Sequence, residues 1–183
     1  MKNSLIFFLA LLPLFSTGQN VSIKEPEFIG NVVFVNDTIG EGLPLEYQKA
    51  TLKVKSNSAT YIPFANLAAG KTSSNYIVSG IQSSLIVRKN NNLQFVLRYS
   101  SNDEDPRALI KVYKFKTDKK NRFIEVYKVS SMGKQQETED VNINFKASKY
   151  GDNSYLINIP SLEVGEYGIT TIEGNFYLFS VSE

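Results

Sequence analysis

The sequence of 183 residues contains no cysteine, no histidine and no tryptophan. Without cysteine, the chain has no disulfide, no thiol nucleophile and no cysteine-ligated metal site. Without histidine, it lacks the commonest general base and the commonest metal ligand, and it cannot form a Ser-His-Asp triad. These absences favour a non-catalytic protein, and the sequence singles out no catalytic residue, no cofactor and no metal-ligating residue.

The first 18 residues have the pattern of a secretory signal peptide. Lys2 supplies the positive charge, residues 5–15 are apolar except for Pro13, and Ser16-Thr17-Gly18 provides the small residues of a cleavage site. The apolar run is shorter than the roughly 20 residues that span a bilayer. We predict cleavage before Gln19 and a secreted protein of the periplasm or cell surface that does not span the membrane. An exported chain without disulfides is typical of bacteria.

Apolar and polar residues alternate along most of the chain from Gln19 to Glu183, which predicts one all-β domain. On these strands Phe28, Val32 and Phe34 should face the core, as should Leu52 and Val54. The inner face of the strand at 93–99 should carry Leu93, Phe95, Leu97 and Tyr99. Short polar links predict hairpins at residues 89–93, 116–122 and 172–176. The predicted strands cover residues 28–36, 51–55, 85–89, 93–99, 109–116, 122–129, 141–147, 155–159, 165–172 and 176–181.

A short motif near the C-terminus narrows the fold class. Its sequence is Leu162-Glu163-Val164-Gly165-Glu166-Tyr167, which resembles the L-x-x-G-x-Y tyrosine corner of Greek-key sandwiches. In that corner the tyrosine hydroxyl bonds to the backbone a few residues upstream, glycine allows the bend, and leucine fills the core. Leu162, Gly165 and Tyr167 are therefore predicted structural residues of an antiparallel Greek-key, Ig-like β-sandwich.

The chain also resembles secreted Bacteroidota proteins of uncharacterised function. The shared features are a short signal, an opening strand Gly-Asn-Val-Val-Phe-Val and the terminal block Leu-Glu-Val-Gly-Glu-Tyr-Gly-Ile. This resemblance implies a cell-envelope location and an Ig-like sandwich, and it implies no functional residue. The same block is similar to type IX sorting domains, although this chain lacks their basic ending.

The strongest site-like feature is a basic hairpin at residues 111–128. Its seven cations face only Asp118 and Glu125, giving a net charge of +5. If Phe115 pairs with Phe123, Lys111 lies opposite Tyr127, and four of the cations share the other face. Such a face with aromatic neighbours could bind an anionic polysaccharide, although exposed lysines also guard strand edges. The candidate binding residues are Lys111, Tyr113, Lys114, Lys116, Lys119, Lys120, Arg122, Tyr127 and Lys128.

Asp103, Glu104 and Asp105 place three carboxylates side by side before Pro106. Carboxylates in a loop can bind calcium, but successive acidic residues before proline are also ordinary turn chemistry. The alternating spacing of a calcium loop is missing, so the sequence leaves this question open.

Together these observations predict an exported binding or structural module of a bacterial cell envelope. Its partner would be an anionic polysaccharide or an envelope protein, and not a nucleic acid. Two alternatives stay open: a subunit of a surface protein assembly that pairs through sheet edges, and an envelope hydrolase with paired carboxylates.

Overall fold

The computed structural model describes residues 23–36, 38–56, 72–129, 135–137, 142–172 and 174–183, so the predicted signal peptide lies outside the described residues. The described part is almost entirely β, which confirms the predicted class, and its one helix is α1 (Pro106–Leu109). The strands are β1 (Val32–Asn36), β2 (Glu41–Pro44), β3 (Glu46–Lys49), β4 (Thr51–Ser56), β5 (Thr72–Ser79), β6 (Ile86–Arg88), β7 (Asn92–Arg98), β8 (Lys111–Thr117), β9 (Asn121–Val129), β10 (Gln135–Glu137), β11 (Lys146–Tyr150), β12 (Ser154–Pro160), β13 (Gly165–Thr170) and β14 (Asn175–Ser182).

These strands form two sheets that pack as a sandwich. The five-stranded sheet has the order β11-β12-β7-β1-β2, and the nine-stranded sheet has the order β3-β14-β13-β8-β9-β5-β4. In the latter, β10 also pairs with β9, and β6 pairs with β14 in the one parallel pairing described. The N-terminal strands thus join both sheets, so residues far apart in sequence become neighbours.

The main hydrophobic core lies between the two sheets. Phe95 and Ile157 enter it from the five-stranded sheet, and Ile169 and Phe179 enter it from the nine-stranded sheet. The period of two in the sequence explains this arrangement, because alternate residues of each strand point into the same core. On β7 the expected inward set is confirmed, since Leu93, Phe95 and Leu97 are buried and Tyr99 packs against them.

A second core forms on the other face of β14. Phe176 and Leu178 lie there in one cluster with Val78 of β5 and Ile124 of β9. The far strands of the nine-stranded sheet therefore fold over the back of β14. Both faces of β14 are buried, which is why its sequence is nearly continuous in apolar residues.

The structure corrects the predicted hairpin at residues 89–93. β6 pairs with β14 in the nine-stranded sheet, whereas β7 pairs with β1 and β12 in the other sheet. The asparagine-rich link is therefore a crossover between sheets. Val87 and Leu93 both reach the main core, from opposite sides. The hairpin predicted at residues 172–176 is confirmed by the antiparallel pairing of β13 with β14.

Three expectations about single segments are also wrong. Phe28 is exposed, and only Val32 and Phe34 of its predicted face reach the core. Leu52 and Val54 are 52% and 62% exposed, because β4 ends the sheet order and has no described layer over it. The predicted strand at 141–147 begins only at Lys146, although Asn142 makes an isolated bridge with Tyr113.

Candidate functional site

The corner is built from contacts within one short segment, Leu162 to Tyr167. Leu162 is buried in the main core, and Gly165 begins β13. The Tyr167 hydroxyl donates a hydrogen bond to the Glu163 carbonyl oxygen at 2.8 Å, four residues upstream. This is the backbone contact that the tyrosine-corner interpretation requires. It lies where the chain leaves β12 and crosses to the other sheet.

Lys114 of β8 lies beside this corner and pairs with it. Its Nζ donates to Glu163 Oε2 at 2.8 Å and lies 6.0 Å from the centre of the Tyr167 ring. The hydrogen bond from Lys114 holds the pKa of Glu163 below its usual value, and the same bond raises the pKa of Lys114. Lys114 is therefore a neighbour of the corner as well as one of the cations of the basic hairpin.

Arg122 is fully buried, which corrects its assignment to an exposed basic face. Its guanidinium donates to Glu46 Oε1 and to the Ser79 carbonyl, both at 2.9 Å, and to Glu166 Oε2 at 3.3 Å. It also donates to the Ser83 hydroxyl. A buried arginine needs such partners because an unpaired charge in the interior is strongly unfavourable.

The two carboxylates of this buried network have further donors. Glu166 accepts from the Ser180 hydroxyl at 2.6 Å, and Glu46 accepts from the Ser84 backbone N–H at 2.7 Å. Burial raises the pKa of Glu46, but hydrogen bonds from Ser84, Gln48 and Arg122 outweigh it, so the pKa lies below its usual value. The network joins β3, β9, β13 and β14 and acts as a structural anchor.

The strand register explains why Arg122 is buried and does not lie on the predicted exposed face. Lys116 pairs with Phe123 and Thr117 pairs with Arg122, one residue away from the predicted register. A slip of one residue moves a side chain to the opposite face of the sheet. Beyond these two pairs, β8 leaves β9 and pairs with β13, while β9 pairs with β5. Lys116 and Arg122 therefore lie on different faces.

Those remaining candidates of the basic hairpin whose side chains are described do not form one surface. Tyr113 is buried against Phe176 in the second core, which corrects its assignment as an exposed contact. Lys111 is exposed at the start of β8, whereas Lys116, Lys119 and Lys120 are exposed at and beside its far end. The side chains of Tyr127 and Lys128 lie outside the described part of the structure.

The acidic loop holds its carboxylates apart. Asp103 accepts from the Ser101 hydroxyl at 2.9 Å and pairs with Lys149. Asp105 caps α1 by accepting from the Arg107 backbone N–H at 2.9 Å. The hydrogen bond from the Arg107 side chain lowers the pKa of Asp105 to about 2. Among the described residues, no group of three or more acidic side chains is arranged to hold a metal ion.

An exposed groove lies at the end of the sandwich where β14 begins. We call it the tyrosine groove because Tyr47 of β3 and Tyr177 of β14 are paired in the register and stand with ring centres 5.2 Å apart. The groove encloses about 470 Å³. Its lining residues are Ile29, Gly30, Asn31, Tyr47, Thr171, Ile172, Asn175 and Tyr177.

Backbone hydrogen bonds fix the N-terminal wall of this groove. The Gly30 N–H donates to the Arg98 carbonyl at 2.8 Å, and the Arg98 N–H donates to the Asn31 carbonyl at 3.0 Å. The Tyr177 hydroxyl donates to Asn31 Oδ1 at 3.2 Å. Burial, and then the neighbouring Tyr47, raise the pKa of Tyr177 above its ordinary value.

The rim of the tyrosine groove is apolar. Ile29 is 66% exposed, Ile172 is 64% exposed, and Tyr47 is 54% exposed. Single exposed apolar residues are common on protein surfaces, but a contiguous patch around a concave surface is typical of a binding site. Sequence reasoning missed this site because its walls come from four separate segments. The strand that carries Tyr47, β3, is also absent from the predicted strands.

A smaller cavity lies on the other side of Thr171. It encloses about 180 Å³ and is lined by the rings of Tyr76, Tyr113 and Phe176, with Lys111 also on its wall. The rings of Tyr76 and Phe176 meet edge to face at 5.8 Å. Thr171 lines both this cavity and the tyrosine groove, so the two concave surfaces flank the link between β13 and β14.

Comparison with known proteins gives no family assignment. No protein-family model matches the chain, and no curated protein matches it significantly. Within the described part of the chain, no helix is long and apolar enough to cross a membrane.

Proposed function

We propose that the protein is an exported, non-catalytic binding module of a bacterial cell envelope, with an immunoglobulin-like Greek-key sandwich. The N-terminal signal pattern and the lack of cysteine support export in a bacterium. The strand order supports the architecture, since β12 and β13 lie in different sheets and the tyrosine corner joins them.

The tyrosine groove is the observation that carries the proposed binding role. It combines a concave shape, two neighbouring aromatic rings and a few polar groups, which is the usual composition of a ligand site. Its position on the loops at one end of a sandwich is also where such folds present binding residues. Recognition through this surface needs no reacting side chain.

A ligand screen by thermal unfolding tests this proposal. The mature protein, expected to begin at Gln19, is heated with neutral and anionic glycans, lipid A, peptidoglycan fragments and calcium. A ligand present at 100 times its Kd stabilises the folded state by about 2.7 kcal/mol, which gives a clear rise in Tm. We expect at least one envelope glycan to raise Tm. A cooperative transition that no member of the screen shifts would contradict the proposal.

An anionic glycan bound through the basic hairpin is a narrower version of the same proposal. Among the described side chains, the exposed cations at its tip are Lys116, Lys119 and Lys120. Reversing these three to glutamate should abolish binding that is sensitive to salt. Lys114 is unsuited to this test because it is already paired with Glu163. Binding that survives the triple reversal would leave the hairpin without a role.

A second candidate function is a subunit of a surface protein assembly. The exposed apolar side chains of Leu52 and Val54 on β4 favour it, because β4 ends the order of the nine-stranded sheet. An exposed edge strand can pair with a strand of another chain. Sedimentation velocity should then detect association that the double variant Leu52→Lys, Val54→Lys removes. A wild-type protein that sediments as a monomer at all concentrations, alone and with envelope extract, would exclude this role.

A further inference from the structure

We propose that the tyrosine groove binds an uncharged sugar chain, an inference that rests on the proposed binding function and specifies its ligand. The lining of the groove is the first reason. None of its described residues carries a charge, and the polar groups are the amides of Asn31 and Asn175 and the hydroxyls of Thr171 and the tyrosines. An ionic ligand would lose hydration there without gaining a described counter-charge.

The aromatic pair is the second reason. The C–H faces of a sugar ring are apolar and pack on the face of an aromatic ring, while its hydroxyls point outward to polar neighbours. Tyr47 is more than half exposed, and its ring stands at 50° to the partly buried ring of Tyr177. A large, rigid ring with a polar end gives contact area together with a hydrogen-bonding group.

The orientation of Asn31 is the third reason. Its Oδ1 accepts the Tyr177 hydroxyl, so the side-chain carbonyl is already engaged. Its side-chain NH₂ group donates no hydrogen bond within the described residues and remains a donor at the wall of the groove. Asn175 and Thr171 add groups that both donate and accept. Such neutral groups match sugar hydroxyls, which also both donate and accept.

The size of the groove fits this class of ligand. A volume of about 470 Å³ lies within the range of small-molecule sites, roughly 300–1,000 Å³. The groove lies open at the end of the sandwich, between the rim residues Ile29 and Ile172. A chain of sugars can therefore enter with one or two units on the rings while the rest continues into solution.

Calorimetric titration with neutral hexasaccharides of glucose, mannose, xylose and N-acetylglucosamine tests the inference. At least one should bind, with affinity that stays constant between 50 and 500 mM salt. Tyr47→Ala should weaken that binding by tenfold or more, and Tyr47→Phe should keep most of it, because the ring makes the contact. The matched control is Ile39→Ala, an exposed apolar residue in the turn between β1 and β2, which should bind as the wild type does.

Side-chain amide resonances supply a second measurement. The NH₂ signals of Asn31 and Asn175 should shift on titration with the sugar that binds, whereas those of Asn90 and Asn91, exposed in the link before β7, should stay in place. Shifts confined to residues outside the groove would overturn the inference even if a sugar binds.

The other outcomes separate this inference from the proposed function. If a charged glycan raises Tm and Tyr47→Ala binds it unchanged, the inference is wrong and the proposed binding function stands. If a protein from the envelope occupies the groove and neutral sugars do not, the inference is also wrong. If no ligand in the wide screen shifts Tm, the proposed function fails together with it.

Discussion

The corner at Leu162–Tyr167 closes through contacts within six residues, whereas the basic hairpin at Lys111–Lys128 is divided among several environments. In the corner, leucine, glycine and tyrosine each have the place that the local motif specifies, and the hydroxyl bond spans four residues. In the hairpin, Arg122 is buried, Lys114 belongs to the corner, and Lys119 and Lys120 stay in solvent. Contacts within one short segment determine the conformation of the corner. Partners that are distant in sequence determine which side chains of the hairpin are buried.

Removal of Arg122 should have the largest effect on stability. Arg122→Ala leaves Glu166 buried and Glu46 partly buried without their cation, which costs about 3–5 kcal/mol in the free energy of unfolding. Urea denaturation measures this loss. The control Lys116→Ala, an exposed cation of the same hairpin, should change the free energy by less than about 0.5 kcal/mol. Equal losses in the two variants would mean that the buried network is not an anchor.

Neutralising the whole network should recover much of the free energy of unfolding that Arg122→Ala loses. The triple variant Arg122→Met, Glu46→Gln, Glu166→Gln removes the charges together, so no unpaired ion remains in the interior. We expect it to be more stable than Arg122→Ala in the same urea experiment. A triple variant less stable than the single one would show that hydrogen bonds, rather than charge pairing, dominate the network.

Loss of the corner hydroxyl should have the next largest effect. Tyr167→Phe leaves the Glu163 carbonyl without its donor, which costs about 1–3 kcal/mol in the free energy of unfolding. The matched control is Tyr99→Phe, because the Tyr99 hydroxyl makes no hydrogen bond within the described residues. A change near zero for Tyr167→Phe, or an equal change in both variants, would argue against the corner.

Acidification should act on the buried network through Glu46. Its pKa is lower in the folded protein than the ordinary value of 4.5, so its contribution to stability is complete above pH 4.5. That contribution is lost as the pH falls through the folded pKa. Tm measured between pH 6 and pH 3 should therefore fall more steeply for the wild type than for Glu46→Gln. Parallel curves would contradict this assignment.

Reversal of the exposed cations should have the smallest effect on stability. The variant Lys116→Glu, Lys119→Glu, Lys120→Glu changes only solvated side chains, so the free energy of unfolding should move by about 0.5 kcal/mol or less per site. Urea denaturation of this variant and of Arg122→Ala under the same conditions compares their free energies of unfolding directly. A loss of several kcal/mol would mean that the hairpin tip has structural contacts like those of Arg122.

Much of the fold was predictable because strand periodicity is a local signal. Leu93, Phe95 and Leu97 were expected to face the core together, and they do. Strand partners were harder to predict, since a short polar link fits a hairpin and a crossover equally well. The link at Asn90–Asn92 is a crossover because Val87 and Leu93 enter the main core from different sheets.

The candidate site was less predictable than the fold. The high net positive charge of residues 111–128 predicted a binding site there, but net charge does not determine which side chains are exposed to solvent. The tyrosine groove has no such signal. Tyr47 and Tyr177 are 130 positions apart, and only the pairing of β3 with β14 places their rings side by side.

Three features are encoded locally along the chain: the all-β class, the alternation of most strands and the corner motif. Each of these depends on backbone geometry and on residues within a few positions of one another. Long-range packing sets the rest: Arg122 is buried, Leu52 is exposed, and residues 29–31, Tyr47 and the β13–β14 hairpin form one groove. The reason is physical: register and sheet order select which face of a strand is covered, and a shift of one residue reverses that choice.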